Sequence, residues 1–360
     1  MQDTKHTERT FSGNIYIFHA FDVGEDINLD SITTSHEVIL RPLVLPKYFK
    51  QYDVPLEIEL PHPHNSAACD SVKIHNFGAI SLTYRIPFHD TLENVRKDLD
   101  HLDNKFQEQS VIDAGSIIKR IKNSIRKPNF FHTKSSYLIL QLNTVPDMSA
   151  SELKQEFGNI IASSLRFETE QLSEYQRNDI LNSSVGYFKG DLIVIDTDAA
   201  FIYDQDYQEI LSFFEFANIQ HLELRYFDRL LDQQLNMIYE ERVGKVPLSA
   251  YLPFIGSRVA SPVDELGKLR VDISVITERL EGGVKLAGEP FYSAVYQLLV
   301  DKLDLQKWKD SIQTKLGIIH EIRTLLQNKI DAARGDMLEV LIIILIFIEL
   351  VLGLLEHFKS

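Results

Sequence analysis

The chain has 360 residues, 44% of them hydrophobic and 25% charged, the balance of a folded protein and not of a disordered one. Its net charge of −15 disfavours wholesale nucleic-acid binding, because so acidic a surface repels a phosphate backbone. The single cysteine, Cys69, excludes an intrachain disulfide and a cysteine-rich zinc site.

The first residues, MQDTKHTERTFSGN, contain no apolar run and include Asp3 and Glu8. They read as a flexible N-terminus over 1–10, neither a secretory signal nor a mitochondrial transit peptide. Residues 14–22 (NIYIFHAFD) have the aromatic and β-branched content of a strand. Residues 37–45 and 54–60 look similar, but Pro42, Pro46 and Pro55 limit them to short or edge strands. Residues 72–86 read as a hairpin with Gly78 near its turn. Helical patterning covers about 90–125, a strand follows at 136–142, and 150–183 suits two helices. One more apolar run of strand length, 191–196, closes an α/β domain expected over 11–200.

From about 205 onward strand signals stop, and 201–336 reads as a helical, coiled-coil region. Leu211, Phe214, Leu222, Phe227, Leu230, Leu235 and Ile238 recur at three- and four-residue steps, and 244–262 is a proline- and glycine-rich connector. From 291 a second apolar stripe runs through Leu305, Trp308, Ile312, Leu316 and Ile319 without a proline. Its expected partner is the 206–240 helix, as an antiparallel hairpin, or a second copy of the chain.

Residues 338–355 (LEVLIIILIFIELVLGLL) are apolar on every side except for Glu339 and Glu349. As a helix they span about 27 Å, close to the thickness of a bilayer core, and 337–356 is the expected transmembrane segment. Arg323, Lys329 and Arg334 precede it and Lys359 follows, which places the N-terminal bulk in the cytoplasm or its equivalent. That means a bacterial inner membrane, or the mitochondrial inner membrane if the source is eukaryotic. Glu349 is costly in lipid unless neutral, paired or facing another helix. With Gly353 a turn away allowing close approach, it marks an expected contact between subunits of a homo-oligomer, with a proton or ion path as the alternative.

Candidate chemistry elsewhere is sparse. His62, His64, Cys69 and His75 have metal-ligand character, but Pro61 and Pro63 stiffen the loop, and solvated histidines explain it better. Asp196 and Asp198 in LIVIDTDAA superficially resemble a phosphatase nucleophile motif. Ala199 and Ala200 break the motif, and Asp198 reads as a helix N-cap. GYFKG (186–190) lacks the spacing of a phosphate-binding loop. Lys119, Arg120, Lys122, Arg126, Lys127 and Lys134, with Phe130 and Phe131 among them, are candidate contacts to RNA or anionic lipid, or else a solvated helix face.

The tail and the helices feeding it resemble the "required for meiotic nuclear division" family. The resemblance rests on Trp308, Leu338–Glu339, Glu349 and Leu352–Gly353 within 288–355, on 196–235, and more loosely on 20–29 and 77–82. It departs at Gly335, and 90–190 does not align. The resemblance implies an α/β N-terminal part, a helical C-terminal part and membrane attachment. It further implies large homo-oligomers that support translation, as in mitochondrial members, and it supplies no catalytic residues.

The expected protein is therefore α+β: a mixed α/β domain, a long helical hairpin and one transmembrane helix. Its expected role is a membrane-anchored oligomeric scaffold or tether, with ribosome or RNA contact through residues 119–134 and no cofactor, metal or small-molecule ligand. The alternative is a hydrolase or metal-dependent enzyme with its site in the α/β domain.

Overall fold

The computed structural model describes residues 9–43, 54–61, 68–129, 133–240 and 289–359, together with 271, 273 and 274. In chain order these form β1 (Thr10–Asp22), β2 (Asp26–Ile27), α1 (Leu29–Ser35), β3 (Leu40–Arg41), β4 (Leu56–Ile58) and β5 (Cys69–Ile74). There follow β6 (Ala79–Thr91), α2 (Leu92–Ile121), β7 (Ile125–Arg126), β8 (Lys134–Leu142), α3 (Ala150–Leu165) and α4 (Glu174–Asn182). The remainder is β9 (Ser184–Val185), β10 (Leu192–Ile195), β11 (Ala199–Tyr203), α5 (Gln208–Glu240), α6 (Pro290–Lys302) and α7 (Leu305–Lys359). The class is α+β, as the residue pattern predicts. The N-terminal residues 1–8, the histidine-bearing loop 62–67, Phe130 and Phe131, and the connector 244–262 lie outside the described residues.

The chain divides into two compact units, one of residues 1–226 and 277–309, the other of 227–276 and 310–360. The first is built on a nine-stranded sheet ordered β3-β4-β5-β6-β1-β8-β11-β10-β9. Its centre is β1, thirteen residues long, paired antiparallel with β6 on one side and β8 on the other. The proline-bearing segments supply β3 and β4 at one edge, where a missing backbone donor is tolerated. β11 joins β8 in parallel and the other pairs are antiparallel.

Side chains alternate across β1, and the two faces differ in chemistry. Phe11, Ile15, Ile17 and Phe21 enter an apolar core with residues of α2, α3 and α4. Asn14, Tyr16, Phe18, Ala20 and Asp22 face the other way. There they align with Gln141, Ile139, Tyr137 and Ser135 of β8 and with Arg85, Thr83 and Ser81 of β6. The first part of α5 covers this second face: Phe214 lies 5.5 Å from Tyr137, and Ser81 bonds to Glu215. α6 covers the outer side of α5, with Tyr292 against Phe213 and Tyr296 against Phe216. Phe213 through Gln220 are consequently all buried, the pattern of a helix enclosed on every side.

Three local readings change. The sheet does not end at 196: β10 and β11 form a tight hairpin in which the Asp196 N–H donates to the Ala199 carbonyl at 3.0 Å. Asp198 therefore sits in a β-turn, and its carbonyl accepts from the Leu138 N–H, so it caps no helix. The stripe that begins at 291 is broken at Asp304, which adopts a left-handed φ of 52° between α6 and α7. Finally, α5 is not one arm of an antiparallel hairpin. In the first unit, contacts advance together from Glu209–Tyr292 through Gln220–Tyr296 to His221–Trp308. In the second unit Asp228 accepts from Ser311 and Lys315, and Asp232 pairs with Lys315. In both units the helices run in the same sense. An antiparallel helix pair needs only a short loop; here residues 241–289 separate the two, enough chain to return to the start.

The β5–β6 hairpin keeps its expected turn. Gly78 has φ +102°, and a Cβ there would lie 1.9 Å from the Gly24 carbonyl oxygen. Gly78→Ala is expected to destabilise the protein by on the order of 2 kcal/mol or more, read as a lower denaturation midpoint; an unchanged midpoint would contradict this packing.

Candidate functional site

The polar face of the sheet, under α5, holds a cluster of buried ionisable groups. Lys73 on β5 and Ser81 on β6 lie opposite each other in register, on the side that α5 covers. Both reach Glu215: Lys73 through an ion pair, and Ser81 by donating a hydrogen bond of 2.7 Å. His75 Nε2 lies 3.4 Å from the Ser81 hydroxyl. Burial alone would push Glu215 up, but the Lys73 charge and the hydrogen bonds from Lys73 and Ser81 outweigh it, holding the carboxyl below its usual range. Burial lowers His75 to about 3, so its ring is neutral near pH 7. This arrangement is a clamp between helix and sheet. It is no nucleophile triad, because the carboxylate takes the Ser81 proton and the serine is 2% exposed.

A second pair of carboxyls lies along the same interface without such compensation. Asp22 ends β1 and Glu223 lies two turns beyond Glu215 on α5; both are buried, and neither forms an ion pair among the described residues. Burial raises Asp22 to about 7, and burial together with the Asp22 charge raises Glu223 well above the carboxylate range. Tyr226, one turn on, is pushed up by burial and by Asp22, Glu223 and Glu25. Lys127 and Arg126 pair with Glu25 at 2.6 and 3.6 Å.

The residues singled out from the sequence are scattered. Cys69 and His75 sit at opposite ends of β5, about 20 Å apart at strand rise, so they cannot ligate one metal. Burial raises the Cys69 thiol to about 12, far from a thiolate near neutral pH. Among the described residues no group of three or more His, Cys, Asp or Glu side chains is arranged to hold a metal. Asp196 is buried and held by Arg166 at 2.6 Å and Lys302 at 3.6 Å, the signature of a structural ion pair and not of a free nucleophile. Residues 186–190 form the turn from β9 to β10, tied by the Phe188 N–H to the Asp191 carboxylate at 2.8 Å.

Lys119 and Arg120 end α2, where cations favour the negative end of the helix dipole, and Lys122 follows directly. All three are exposed, as are Arg126, Lys127 and Lys134. Arg120 donates to the Glu37 carbonyl at 3.2 Å, and Glu25 neutralises part of the charge of Arg126 and Lys127. Glu349 and Gly353 lie on the exposed, apolar end of α7. Neither sequence spacing nor composition marked Asp22, Lys73, Glu215 or Glu223; only the sheet register brings them together.

A carboxyl group that titrates higher when folded holds its proton more tightly in the fold. Its contribution is complete below its ordinary value of 3.8 and is lost as pH rises through about 7. In chelator-containing buffer the thermal midpoint is therefore expected to fall between about pH 4 and 8. Asp22→Asn, which needs no proton, is expected to flatten that fall and raise the midpoint at the alkaline end. An unaltered pH profile in the variant would show that Asp22 carries none of it.

Comparison with known proteins follows the sheet. Over 292 residues the chain is 25% identical to an uncharacterized protein, MJ0711, of Methanocaldococcus jannaschii, an alignment covering 75% of this chain and 86% of that protein. No solved structure matches the chain. The family described as "Uncharacterized protein MJ0711, N-terminal domain" matches residues 12–209, from the start of β1 to the first residues of α5, and the chain belongs to that family.

Proposed function

We propose that this chain is a membrane-anchored protein that presents its α/β domain on the cytoplasmic side and assembles through its C-terminal helices into a scaffold or tether. The observation that carries the reading is the last part of α7. Among the described residues one helix is long and apolar enough to cross a membrane: it lies within Leu305–Leu355, has a mean hydropathy of 2.9, and its apolar window is 0% buried. Ile343 and Phe347, four residues apart, are 64% and 66% exposed, and the intervening Ile344, Leu345 and Ile346 are exposed as well. Exposure on every side of a helix is unfavourable in water, at roughly 25 cal/mol per Å² of apolar surface, and favourable in lipid. Arg323, Lys329 and Arg334 before the segment support an N-terminal bulk on the cytoplasmic side.

Self-assembly is proposed from Glu349. A carboxyl group within the bilayer costs on the order of 3 kcal/mol unless a neighbouring helix shelters it, and Gly353 on the next turn allows such a helix to approach. The resemblance of 288–355 to the meiotic-nuclear-division family supports a homo-oligomer and extends the proposal to support of translation, with Lys119, Arg120, Lys122, Arg126 and Lys127, all exposed, as the proposed contact to RNA or lipid headgroups.

Membrane fractionation tests the anchor. Full-length protein is expected in the membrane fraction and a deletion of 337–360 in the soluble fraction; full-length protein that is already soluble overturns the reading. Glu349→Leu is expected to change the size of the detergent-solubilised assembly, and an unchanged size removes Glu349 from any subunit contact.

A further inference from the structure

The two buried glutamates of α5 provide an internal comparison. Glu215 is matched by the lysine ammonium of Lys73. Glu223, on the same helix and equally buried, meets another carboxyl, that of Asp22. Two desolvated carboxyls without a cation are a costly arrangement that proteins ordinarily relieve with protons, a basic side chain or a metal ion.

The neighbouring groups bear on which of these applies. The Asp22 N–H donates to the Thr133 carbonyl at 3.1 Å, extending the β1–β8 register by one residue. The alternation of both strands then puts the Thr133 side chain beside that of Asp22, on the face that α5 covers. Thr133 is 5% exposed. Asp22 Oδ2, Glu223 Oε1 and Thr133 Oγ1 are all buried, and among the described residues all three lack a hydrogen-bond partner. The other Asp22 oxygen, Oδ1, accepts from the Gly24 N–H at 3.3 Å, which fixes the carboxyl's orientation. A pair relieved by protons alone would leave the Thr133 hydroxyl oxygen unexplained, since buried polar atoms are ordinarily satisfied.

Three oxygens and no nitrogen or sulfur form a hard donor set, and two of the three bring negative charge. We infer that Asp22, Glu223 and Thr133 bind one divalent cation of calcium or magnesium chemistry between β1, β8 and α5, with water completing its shell. The cation does for Glu223 what Lys73 does for Glu215: it fastens the middle of α5 to the polar face of the sheet. It is a structural ion in this assignment, and the site is independent of the membrane reading.

The test is thermal unfolding of the full-length protein in detergent. It is stripped with chelator and held at one fixed, mildly alkaline pH. Calcium or magnesium chloride is then added against sodium chloride of equal ionic strength. One of the two ions is expected to raise the midpoint by several degrees, with a shift that grows with the logarithm of its concentration, as for any ligand that binds only the folded state. Asp22→Asn and Glu223→Gln are each expected to abolish the shift, and Glu174→Gln, on exposed α4, to retain it. If one cluster variant fails to fold, the other decides. A wild-type midpoint indifferent to both ions overturns the site and leaves a proton-sharing pair; a shift that survives undiminished in both variants places the ion elsewhere and overturns it equally.

Discussion

The first unit depends on a lysine–glutamate pair closed between a strand and a helix. The sheet presents an apolar face to α2, α3 and α4, and hydrophobic burial suffices there. Its other face carries Lys73, Ser81, Thr83, Ser135 and Gln141, a surface that no apolar helix could cover without stranding polar atoms. Glu215 answers Lys73 and Ser81 from above, and α5 can then bury Phe214 and Leu222 nearby. Buried pairs of this kind contribute little beyond a hydrophobic equivalent, but losing one partner costs about 3–5 kcal/mol. The pair therefore acts as a register pin: α5 fits this face in the one position where its carboxyl meets the ammonium.

Within the first unit, α6 inherits that position. α6 packs on the outer side of the helix, with Tyr292 and Tyr296 reaching Glu209 and Gln220, and its last residue, Lys302, returns to Asp196 at the end of β10. The buried polar residues of the interface thus form a chain of specific contacts and not a greasy layer. Asp22 and Glu223 are the exception in that chain, two acids without a counter-charge among the described residues, and they are where the interface is open to chemistry.

The second unit rests on different physics. Asp228, Asp232, Ser311 and Lys315 tie its helices together, with Leu231, Ile312, Leu316 and Ile319 buried beside them. Farther along α7 the side chains become exposed and, Glu339 and Glu349 aside, apolar. An amphipathic helix that turns hydrophobic on every side is long and apolar enough to cross a membrane, and the proposed anchor rests on that transition.

Elements set by local chemistry were legible in the sequence. Gly78 marked its turn because a left-handed backbone favours glycine, prolines put β3 and β4 at an edge, and 338–355 declared itself by composition alone. The β10–β11 turn was missed because Asp196–Ala199 contains no glycine, and the shared sense of α5 and α7 because nothing local encodes which way a partner helix runs. The buried cluster was illegible for a related reason. Glu215 and Glu223 sit on a helix where spacing cannot distinguish a solvated acid from a buried one, and Asp22, Lys73 and Thr133 come from separate strands. By itself the sequence determined the α+β class, the strand-rich front and the apolar tail, all functions of periodicity and composition. Only the tertiary structure decided which charges lose their water, because burial depends on what a distant segment places on top.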